Sequence, residues 1–161
     1  MWFICKFESI MDCNKIKSRF FSLKYVILYT LVFFLFGSLT ELYLIKHYED
    51  TSQIIPIFCI GLSLTCLIIL FFRVSKLTII LFKLSLFVIS LVGFMGVVLH
   101  LNSNYEFEKE MKPTSNSFDL FIESLSGALP ALAPLNLVLL AMVGYSYILT
   151  INQNQWKKIS V

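Results

Sequence analysis

Apolar residues run along this chain in four long stretches that do not alternate with polar ones. They cover about residues 25–45, 54–72, 77–101 and 128–151. Each is long enough to cross a hydrocarbon core, which takes about 20 residues of helix. A β-barrel strand would alternate polar and apolar positions over roughly 10 residues, so the pattern predicts helices. The first stretch is interrupted by Glu41, the third contains Lys83 and His100, and the fourth contains Asn136. The expected architecture is all-α and integral to a membrane: a single domain over residues 1–161, built as a four-helix transmembrane bundle.

Composition supports that class. Hydrophobic residues make up 58% of the 161-residue chain and charged residues 14%, against roughly 45–50% and about 25% in a typical soluble protein. The mean hydropathy is +0.82. A chain this small has too little interior to hide so much apolar surface from water. Disordered chains show the opposite bias. A cleavable leader is not expected, because the first apolar run exceeds a 7–15-residue leader core and lacks a small-residue cleavage site.

Charge gives the expected direction. Lys6, Lys15, Lys17, Arg19, Lys24, Arg73, Lys76, Lys157 and Lys158 fall on one side of the four stretches, and only Lys46, Lys109 and Lys112 on the other. Basic residues concentrate in cytoplasmic loops, so both termini are expected in the cytoplasm, in the cell (inner) membrane. The net charge of +3 sums two opposite faces and implies no nucleic-acid partner. The bilayer is the expected partner, together with a second copy or another membrane protein.

Asp50 followed by Gln53, with Pro56 close behind, predicts a helix start. Residues 102–127 form the long outer loop. Within it, Phe118, Phe121, Ile122 and Leu125 share one side at helical spacing. This predicts a short helix lying in the outer interface or packed on the bundle end. In the fourth stretch Pro130 and Pro134 remove two backbone donors, predicting a kink. Cys59 and Cys66 are expected to pack as small core residues, and Lys83 to snorkel to the inner surface.

Candidate chemistry lies at the outer end. Glu41 is a carboxylate inside a membrane helix, a costly placement that marks a functional hypothesis. Its side of the wheel, with Thr30 and Gly37, is expected to face the bundle. Gly93, Gly96, His100 and Asn104 fall within an arc of roughly 80° at 100° per residue. His47 lies just beyond the first span. Glu41, His47 and His100 are therefore expected near one another, with Asn104, Pro130 and Pro134 beside them. Such a group suits a polar ligand, a proton relay or a divalent metal. No cofactor is expected, since neither a zinc-type spacing nor a nucleotide loop occurs. No nucleophile elbow or His-Glu-x-x-His motif occurs either. The leading expectation is a non-enzymatic membrane component or accessory subunit.

Three segments carry a resemblance: residues 41–50 (ELYLIKHYED), 99–108 (LHLNSNYEFE) and 127–134 (GALPALAP). Together they resemble small four-span bacterial membrane proteins of uncharacterised function. The resemblance implies that Glu41, His47, His100, Asn104 and the Pro130/Pro134 kink belong together, and it implies no activity.

Overall fold

The computed structural model describes the backbone of residues 2–159 and the side chains of residues 23–151. The basic side chains outside that range (Lys6, Lys15, Lys17, Arg19, Lys157 and Lys158) are not among the described residues. The described chain is all-helical: α1 (Trp2–Leu44), α2 (Thr51–Phe72), α3 (Lys76–Met111), α4 (Ser117–Leu125) and α5 (Leu135–Ile159). Four long helices pack in a ring, α1 on α2, α2 on α3, α3 on α5 and α5 back on α1, while α4 docks on α3.

Local chemistry sets the helix ends. Gln53 accepts the N–H groups of Glu49 (3.0 Å) and Asp50 (3.4 Å) at the start of α2. Ser75 and Thr78 cap α3 reciprocally, Thr78 N–H to Ser75 Oγ (3.1 Å) and Ser75 N–H to Thr78 Oγ1 (2.9 Å). Helix α1 closes through Lys46, whose φ of 55° is left-handed. The His47 N–H then reaches Leu42 O (2.9 Å) and the Lys46 N–H reaches Tyr43 O (3.1 Å). These two bonds are the pair that define a Schellman ending.

The core is a column of large apolar side chains: Leu31 and Leu35 of α1, Ile60 and Leu70 of α2, Phe82, Leu86 and Ile89 of α3, and Leu140, Tyr147 and Ile148 of α5. The outside is just as apolar. Residues 23–44 of α1, together with α2 and α3, are long and apolar enough to cross a membrane, yet only 17–33% of their most apolar windows is buried inside the protein. Phe33, Phe58, Phe72, Leu77 and Leu84 all point outward. An apolar surface this continuous is stable against hydrocarbon and costly against water.

Two expected boundaries move. Helix α3 runs to Met111 rather than ending with its apolar stretch at residue 101. Polarity changes there, but nothing stops the helix until Pro113 disfavours a helical backbone at Lys112. The fourth apolar helix starts at Leu135 rather than 128. Residues 126–134 are turns and bends, because Pro130 and Pro134 cannot donate and their rings clash with the preceding turn. The apolar part of α5 with described side chains is Leu135–Ile151, shorter than the other three.

Candidate functional site

The irregular segment between α4 and α5 needs partners for its backbone, because an unpaired polar group away from water costs as much as a lost hydrogen bond. Asn104 supplies most of them. It is 2% exposed. Its Nδ2 donates to Ser124 O (2.9 Å) and Leu129 O (2.7 Å), and its Oδ1 accepts from the Leu129 N–H (2.9 Å). One amide thus ties the end of α4 and the approach to the prolines onto α3. The chain passes close enough that a Cβ on Gly127 would lie 2.6 Å from Asn104 Cγ.

One turn earlier, His100 Nδ1 lies 3.1 Å from Pro130 O. A carbonyl only accepts, so Nδ1 carries the proton. That carbonyl also receives the Ala133 N–H at 3.1 Å. Below His100 the same side of α3 becomes glycine. A Cβ on Gly96 would meet Pro134 Cβ at 2.8 Å, and one on Gly93 would meet Pro134 O at 2.9 Å. The arc Gly93, Gly96, His100 and Asn104 is therefore the bed on which residues 124–134 lie. Lys112 adds a tie at the top, bonding Glu123 of α4 at 2.7 Å and Glu108 at 3.6 Å.

His47 stands at the same end of the bundle, partly buried, held by the Schellman closure of α1. Burial first, and then the charge of a protonated His100, push its pKa below the ordinary histidine value.

Glu41 does not join them. The stripe expected to face the bundle is turned outward: Glu41 and Gly37 are exposed, and no atom lies within 4 Å of where a Gly37 Cβ would stand. Leu28, Leu31 and Leu35 fill the inward side of α1 instead, since burying them gains more than burying a carboxylate. Among the described residues no three His, Cys, Asp or Glu side chains gather to hold a metal ion. Glu41, His47 and His100 are not among any such group in the described residues.

Two participants carry no sequence signal. Ser124 takes part through its carbonyl, which any residue offers. Lys46 supplies the left-handed turn, a conformation usually taken by glycine. No protein-family model, curated protein or solved structure matches this chain.

Proposed function

We propose that this chain is a four-span protein of the cell inner membrane, both termini cytoplasmic, working as a non-enzymatic component that packs with itself or with another membrane protein. The observation behind this is the engagement of the outer polar residues. Asn104 and His100, the side chains best suited to greet a ligand, are bound to backbone groups of residues 124–130. The outer third of α1 is differently placed. The Glu41 carboxylate has no hydrogen-bond or ion-pair partner among the described residues, and Gly37 beside it leaves an open notch. A charged residue near the middle of a membrane helix costs roughly 3 kcal/mol, and less toward the interface. A partner helix offering a donor at that notch would compensate the cost.

The apolar side of α4 fits the outer interface. Phe118, Phe121, Ile122 and Leu125 are exposed, while Leu120 and Ser124 are buried against the bundle. The direction rests on the basic residues, of which Lys24, Arg73 and Lys76 lie at the end opposite Glu49, Asp50, Asp119 and Glu123.

Purification in mild detergent tests the association. The wild type should elute as an oligomer or with a membrane partner, and Glu41→Leu should weaken that association about threefold or more. A wild type that is monomeric and alone would overturn the proposal.

A second reading, an outer-face site for a proton or polar ligand, rests on His47 and His100 lying at the same end of the bundle. Native mass spectrometry of wild type, His47→Gln and His100→Ala decides it. A bound species lost in both variants supports the site, and an empty wild type removes it.

A further inference from the structure

Helices α1 and α2 leave a groove of about 250 Å³ open to the outside of the bundle. Its walls include Leu28, Tyr29 and Phe36 of α1 and Leu64, Ile68 and Phe72 of α2. It runs eight residue steps along each helix, from 28 to 36 and from 64 to 72, about 12 Å at 1.5 Å per residue. It begins at Phe72, the last residue of α2, and runs toward the middle of the bundle. Its length is close to the depth of one leaflet, half of a hydrocarbon core about 30 Å thick.

Dividing the volume by the length leaves a cross-section of about 20 Å². That fits one alkyl chain, about 4 Å across at van der Waals separation. Charge then identifies the kind of lipid. Arg73 follows Phe72 at the mouth and is exposed. Its backbone is fixed there, N–H to Ile69 O at 2.8 Å and carbonyl to the Thr78 hydroxyl at 2.9 Å. It has no acidic partner among the described residues, where the only ion pairs are those of Lys112. Tyr29 adds a phenol at the same end, the amphipathic ring favoured at a membrane interface.

We infer that the α1–α2 groove holds an acyl chain of an anionic phospholipid of the inner leaflet, with the lipid phosphate at Arg73. This rests on the four-span membrane assignment. The test uses the full chain, purified in detergent, stripped of lipid and offered phosphatidylglycerol or phosphatidylcholine of identical chains. Native mass spectrometry should show one phosphatidylglycerol retained under activation that removes phosphatidylcholine. Arg73→Gln should lower that retention about fivefold, the effect of one basic residue at an anionic surface. Ile68→Trp, at an exposed wall position, should abolish it while leaving helicity and melting unchanged. Equal retention of both lipids, full retention in Ile68→Trp, or a dimer that excludes lipid would overturn the inference. A chain that needs no detergent would instead overturn the membrane assignment beneath it.

Discussion

Asn104 shows how much one side chain can organise at the end of a helix bundle. Asn104→Ala would leave one N–H and two carbonyls short of a partner in a largely buried place, at a cost of roughly 2–4 kcal/mol. Thermal unfolding in detergent should show it as a loss of stability with the helices retained. Lys46→Gly should have the opposite sign. A left-handed backbone costs a non-glycine residue about 1 kcal/mol, so the variant should melt higher. His47 predicts a pH effect. Its pKa is lowered by folding, so below the unfolded value of about 6.5 the unfolded chain binds more protons than the folded one. Stability should fall as pH drops from neutrality through that value, and His47→Gln should flatten the dependence. The sequence made His100 and Asn104 legible because polar residues are rare on an apolar helix. It misplaced Glu41 because rarity says nothing about which side a residue faces. That side is settled by competition with Leu31 and Leu35 for the interior.

Helices differ in what their glycines do, and substitution separates the cases. Gly93→Ala would set a methyl 2.9 Å from the Pro134 carbonyl, a backbone atom that cannot swing aside. It should cost about 1–3 kcal/mol by overpacking. Gly37→Ala and Gly61→Ala meet nothing within 4 Å and should stabilise their helices by up to about 1 kcal/mol. Melting of the three variants side by side checks the order. The elements themselves were legible in part. Gln53 and Pro56 marked the start of α2, and the amphipathic spacing marked α4. The end of α3 was hidden, because the switch from apolar to polar residues marks where a bilayer can end and does not end a helix. The start of α5 was read too early for the converse reason. Hydropathy is continuous through residues 128–134, while the two prolines decide the backbone.

Across the whole molecule, the ring of four helices places α1 and α3 in one direction and α2 and α5 in the other. Reporters fused at either terminus should be cytoplasmic, and a tag within residues 113–116 should be reachable from outside the cell. An external C-terminus would overturn this arrangement. The late start of α5 adds a dependence on the bilayer itself. Residues 135–151 rise only about 25 Å, a few ångströms less than a typical hydrocarbon core. In the proposed four-span arrangement a thick bilayer must therefore thin around α5 or draw the proline segment inward. Hydrophobic mismatch costs a fraction of a kcal/mol per ångström, and here it falls on the one stretch whose backbone depends on Asn104 and His100. The protein should be most stable in short-chain lipids and lose stability as the acyl chains lengthen, and Asn104→Ala should steepen that loss.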